Sequence, residues 1–198
     1  NIASFLMTVS GFCIALKTEE AKVHRVLEKT TELVIRWLQA QRSAAGPDVE
    51  GILVLDDICG FLNEADYLEF AHPYLKKIYD AFDVPVKIFH NDNFGNAYTT
   101  FPHIHSLGVN IFNFSYMANL KKAREALGDQ ICILGNIAPR DILTAAKPEA
   151  IQAEVFRILD EYGSKCGIVF SAGGGASPGM GKENCRAFLD ALHQWNQA

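Results

Sequence analysis

The chain has 198 residues, 49% of them hydrophobic, enough for one domain with a sizeable core and not the composition of a disordered or fibrous protein. A formal net charge of −5, a pI near 5.7 and the absence of any run of five like charges argue against a surface that tracks phosphates, so nucleic acid is not an expected partner. No apolar run is long enough to span a bilayer, and the cysteines at 13, 59, 132, 166 and 185 are scattered singly in a chain too large to need a disulfide framework, which fits a reducing cytoplasm.

The sequence opens without Met, directly in an apolar segment, and reads as the middle of a protein. Ile2 to Met7 is the first of six short apolar runs of strand length. Thr18 then offers a helix cap, with Glu19 and Glu20 suited to the N-terminal dipole and Val23, Val26, Leu27, Leu33, Val34, Trp37 and Leu38 supplying an apolar stripe. Gly51 to Leu55 is the second strand-like run. Asn63 precedes a helix through Tyr67, Phe70, Tyr74, Leu75 and Ile78, and Val84 to Phe89 is the third strand, with Pro85 where a strand can begin. Val109 to Phe114 follows, then a short helix from Leu120 to Leu127 closed by Gly128, and then a strand from Gln130 to Leu134. Pro148 suits a first helical position before Ile151, Val155 and Leu159. Gly167 to Phe170 is the last strand, and a helix from about Glu183 to Trp195 ends the chain.

Strand and helix thus alternate six times, the pattern of a parallel sheet covered by helices. An open doubly wound sheet usually carries its glycine-rich turn after the first strand, whereas the glycine cluster here, Ser171-Ala-Gly-Gly-Gly-Ala-Ser177, follows the last. Anion sites in (β/α)8 TIM barrels often lie after late strands, and polar residues collect at these strand ends: Asp56 and Asp57, His90 and Asp92, Asn113 and Ser115, Asn136, and Ser171. The expected fold is α/β, a (β/α)8 barrel present as its C-terminal six βα units, in a single domain spanning 1–198.

His90 and Asp92 bound a polar stretch that continues through Asn93, Phe94, Gly95 and Asn96. Two residues apart at a strand end, they point to one face. Imidazole and carboxylate are both competent zinc ligands, with a third ligand needed from Asp56, Asp57 or another strand end. The alternative use of the same atoms is Asp92 orienting His90 and capping the loop. Adjacent Asp56 and Asp57 face opposite ways if extended, so one can enter the mouth while the other caps; Asp57 is the site candidate, for acid/base work or as a third ligand. Gly173, Gly174 and Gly175 can expose backbone N–H groups to cradle an anion, or leave room for a bulky ligand. Asn136 fixes its loop or touches ligand. His103 and His105 sit at a helix start, His24, His72 and His193 lie on helices where they pack or meet solvent, and Cys59, just after a strand end, is the only cysteine to consider near the site.

Asp56-Asp57-Ile-Cys-Gly-Phe-Leu62, Tyr67-Leu-Glu-Phe-Ala-His-Pro-Tyr-Leu-Lys-Lys-Ile78, the strand ending in His90, Leu134-Gly-Asn-Ile-Ala-Pro139 and the glycine loop before Pro178 together resemble the uroporphyrinogen decarboxylase superfamily, as does Phe5-Leu-Met-Thr8. The resemblance covers the whole chain and implies a TIM barrel with its site at the C-terminal mouth. Its decarboxylases bind a carboxylated tetrapyrrole without a cofactor, through arginines and an aspartate early in the chain. Their tyrosine and loop histidine fall here at Val9 and Gly174, and Asp57 stands where they often have serine. Its methyltransferases move a methyl group from a small corrinoid protein to a thiol such as coenzyme M, with zinc held by His-x-Cys and a loop Cys; these positions are His90, Asp92 and Gly174 here. The resemblance therefore implies corrinoid-linked methyl transfer to a thiol or other small acceptor, with zinc at His90 and Asp92. The alternatives are a decarboxylase of uroporphyrinogen or a related substrate and a non-catalytic corrinoid or tetrapyrrole binder. Some relatives pair as homodimers through their mouths.

Overall fold

The computed structural model describes residues 1–93 and 97–197; Phe94, Gly95 and Asn96, at the end of the polar stretch after His90, lie outside the described residues. Strands β1 (Gly51–Leu55), β2 (Val86–Asn91), β3 (Ile111–Phe114), β4 (Cys132–Leu134) and β5 (Ile168–Val169) form one parallel sheet in the order β1-β2-β3-β4-β5. Helical segments lie between successive strands. These are α4 (Glu64–Phe70) and α5 (His72–Asp80), then α6 (Ala97–Thr100) with two 3-10 turns, then α7 (Leu120–Leu127), then a π-helical turn (Pro139–Thr144) and α8 (Pro148–Tyr162). Helix α9 (Lys182–Gln197) follows β5. Among the described residues no helix is long and apolar enough to cross a membrane.

The alternation of side chains along each strand sorts the sheet into two faces. Val54, Phe89, Phe112 and Ile133 are buried against the helices, where Phe89 stacks on Phe112 at 5.5 Å between ring centroids and Phe101 meets Phe112 edge-on at 5.2 Å. Each such ring stabilises the fold by about 1.5–3 kcal/mol of removed apolar surface. The opposite face carries Leu53, Leu55, His90, Asn113, Leu134 and Val169. The register aligns Leu55 with His90, His90 with Asn113, Asn113 with Leu134 and Leu134 with Val169, so one row crosses all five strands.

The sheet curls. Strands β2 and β5 stand three positions apart, roughly 14 Å in a flat sheet, yet a Cβ built on Gly174, after β5, would lie 3.4 Å from the Asp92 carboxylate, after β2. A parallel sheet whose strand ends converge in this way is a sector of a (β/α) barrel.

Three expectations are corrected. Ile2–Met7 is a helix, α1, followed by α2 (Val9–Thr18) and α3 (Glu20–Ala45), so the chain holds five strands and five βα units rather than six. Ala3 and Ser4 turn inward while Phe5 and Leu6 stay exposed, a one-sided pattern that a six-residue apolar run does not reveal. Thr18 closes α2 instead of capping α3, its hydroxyl donating to the Ile14 carbonyl. The Asn63 cap is present, its side chain accepting from the Asp66 N–H at 3.0 Å, but that helix breaks at Ala71, just before Pro73, which has no N–H to continue the ladder.

Candidate active site

Strand β1 delivers Asp56 and Asp57 at its C-terminal end, and the two carboxylates part there. The Asp56 side chain accepts from the amino nitrogen of Asn1 at 2.8 Å and from the backbone N–H of Ile58 at 3.1 Å, so it ties the start of α1 to the turn after β1. Asn1 completes the tie, its side-chain oxygen accepting from the N–H groups of Asp57 and Ile58. Asp56 also lines an apolar cavity of about 210 Å³ between α3 and β1, which touches none of Asp57, His90 or Asp92. Asp57 faces the mouth. Its Oδ1 accepts from the Asp92 backbone N–H at 2.8 Å and lies 3.8 Å from His90 Nε2.

His90 projects from the open face of β2 with its side chain only 13% exposed. Its Nδ1 is 2.5 Å from Oδ1 of Asn113, its register partner on β3. On the other face of the sheet the Phe89, Phe101, Phe112 and Phe114 cluster packs behind the strands that carry this pair. Asp92 is the first residue past the end of β2. Partial burial raises its carboxyl above the ordinary value, His90 pulls it down and Asp57 pushes it up. Among the described residues neither Asp57 nor Asp92 pairs with a lysine or arginine.

The three loop glycines differ. A Cβ on Gly173 would lie 2.5 Å from the Tyr116 nitrogen, so this glycine permits close packing of the loops after β5 and β3. Gly174, at φ +85°, abuts Asp92, and Gly175 has open space around it. Asn136 is buried, with its amide nitrogen donating to the Ser115 and Ala118 carbonyls at 3.2 and 2.8 Å; it ties down the loop after β3.

The remaining candidates stand elsewhere. His103 pairs with Glu64, His72 with Ser106 and His24 with Tyr74. Cys59 is buried with its Sγ donating to the Asp56 carbonyl, and burial, then the Asp56 charge, pushes its thiol well up, away from nucleophilic use. The sequence placed Asp57, His90, Asp92 and Gly174 in one site, and the structure brings those four together. Asn113 was noted only among the strand-end polar residues, without a role, and Asn1 was not noted at all. The signal for Asn113 was a lone amide inside the apolar strand Ile111-Phe-Asn-Phe114.

The comparisons agree with this architecture. Residues 1–195 match the family model for uroporphyrinogen decarboxylase (URO-D), and the chain belongs to that family. It is 32% identical over 179 residues to the uroporphyrinogen decarboxylase of Hahella chejuensis, covering 87% of this chain and 48% of the relative. It is 33% identical to that of Pseudomonas fluorescens, again covering 87% and 48%. The chain spans about half the length of these curated relatives. Among solved structures, a methyltransferase from Methanosarcina mazei superposes with a TM-score of 0.83 at 21% identity, over 98% of this chain and 56% of that one, a likeness of fold.

Proposed function

We propose that this part of the barrel activates the acceptor in a corrinoid-linked methyl transfer to a thiol or another small acidic acceptor. The observation that carries the reading is the His90 ring, mostly buried in the mouth, with Nε2 turned to Asp57 and both neighbouring charges carboxylates. A partner corrinoid protein would supply the methyl group. His90 would take the acceptor proton on Nε2 as the S–H bond breaks and the electron pair stays on sulfur, the Asp57 carboxylate compensating the charge on the ring. Gly174 and Gly175, which put no side chain over the mouth, leave space for the donor to approach.

Zinc is the metal that the methyltransferase resemblance implies. Among the described residues no three His, Cys, Asp or Glu side chains gather into a metal-holding group, and Asp57 Oδ1 is engaged by the Asp92 N–H. The His90 and Asp92 pair does not fit a zinc cage as it stands.

The second reading is decarboxylation of uroporphyrinogen or a smaller carboxylated relative, favoured by the names of the curated relatives. Among the described residues neither Asp57 nor Asp92 pairs with a lysine or arginine, and carboxylates so placed repel a polycarboxylate, which supports the methyl-transfer reading over this one. The test is a paired assay on the complete protein: methylcobalamin with coenzyme M, followed by the cobalamin absorbance, and uroporphyrinogen, followed by chromatography of its products. Demethylation that depends on the thiol is expected. Decarboxylation without methyl transfer would overturn the proposal, and so would binding of either tetrapyrrole with no turnover.

A further inference from the structure

We propose that Asn113 is a positioning residue for His90, locking the neutral ring as the Nδ1–H tautomer so that its lone pair lies on Nε2, toward Asp57. The inference rests on reading His90 as the reactive group of the site, but its own argument is one of donors and acceptors.

The side-chain nitrogen of Asn113 donates to the Leu134 carbonyl, in a short contact, and lies 3.4 Å from the Ala172 carbonyl. Carbonyl oxygens only accept, so the NH2 end of the amide must face them, and both its hydrogens have a destination there. The other end, Oδ1, therefore faces the ring, and an amide oxygen also only accepts. Nδ1, 2.5 Å away, must carry the proton. In the neutral ring the remaining nitrogen, Nε2, then has the lone pair, because one nitrogen's hydrogen bond sets the state of the other. The register completes the device: His90 and Asn113 are paired across β2 and β3, and Asn113 is paired in turn with Leu134 on β4, whose carbonyl clamps the amide. Three adjacent strands thus determine which ring nitrogen can accept a proton.

The experiment is a long-range 1H–15N spectrum of the histidine-labelled protein at a pH where the ring is neutral, with His90 assigned by its loss in His90→Gln. The wild-type protein is expected to show a protonated Nδ1 and a bare Nε2. In Asn113→Leu, which removes the acceptor at similar size, the proton should move to Nε2. Asn113→Asp, whose carboxylate still accepts from Nδ1, should restore the wild-type pattern although it sets an oxygen against two carbonyls. A protonated Nε2 in the wild type, or an unchanged Nδ1–H in Asn113→Leu, overturns the inference. Should Asn113→Leu fail to fold, the wild-type spectrum and Asn113→Asp decide alone. The readout involves no methyl transfer, so a proton that moves as expected while turnover is unaffected upholds the inference and sinks the catalytic role of His90.

Discussion

Gly173 and Tyr116 are packed so closely that no side chain fits between them: the first carbon of one would sit 2.5 Å from the Tyr116 nitrogen and 2.8 Å from its Cα. The obstacle is backbone and cannot rotate away. Gly173→Ala is expected to cost about 1–3 kcal/mol, the usual penalty of overpacking, whereas Gly175→Ala, with nothing within 4 Å, should stay within about 0.5 kcal/mol of wild type. Urea melts of the two variants check this; equal costs would mean that the loop after β5 does not rest on the loop after β3.

Tyr67 is completely buried, and its hydroxyl has no hydrogen-bond partner among the described residues. Burial, with the nearby Cys59 and Asp56, pushes the phenol far above its ordinary value, so it stays neutral at any working pH. Tyr67→Phe removes an unsatisfied polar atom and keeps the ring, and is expected to stabilise the fold by about 1 kcal/mol. A loss of stability in the same melt would reveal a partner for that hydroxyl.

Asp92 is an acid held above its ordinary value, by burial first, and it binds its proton more tightly folded than unfolded. Its charge therefore costs stability above the folded pKa, and that cost fades as the pH falls through the folded value toward the unfolded one. Asp92→Asn should raise stability at pH 7 by about 0.5 kcal/mol, a small figure because the group is partly solvent-screened. The advantage should vanish in acid. A variant whose gain grows as the pH is lowered would contradict the sign of the shift.

His90→Gln keeps a polar side chain at this position but removes the basic nitrogen. Thiol-dependent demethylation is expected to fall by about 10²–10⁴-fold, the usual share of a general base, with the melt little changed because the aromatic cluster on the other face of the sheet is untouched. Retention of more than a tenth of the rate would remove His90 from the chemistry.

Much of the site was legible because strand geometry is simple: the two-residue spacing of His90 and Asp92 and the adjacency of Asp56 and Asp57 each imply an orientation, and the structure separates the two aspartates as that adjacency requires. The N-terminal segment was not legible, because six apolar residues are too few to show a helical period, and tertiary packing of Ala3 and Ser4 decided the outcome. Pairing between distant strands was also hidden. Asn113 gains its partner His90 only through register, and Gly174 meets Asp92 only because the sheet curls.

The row that runs from Leu55 through His90, Asn113 and Leu134 to Val169 has a consequence for which changes in chain length can be inherited. Inserting or deleting one residue ahead of His90 within β2 would exchange His90 with Phe89, driving an imidazole into the aromatic layer and a benzyl group into the mouth. A substitution at either position alters one contact, while a one-residue indel inverts the whole strand. Length variation is therefore expected in the segments between strands and helices, with the strands of this sheet conserved in length more strictly than in composition.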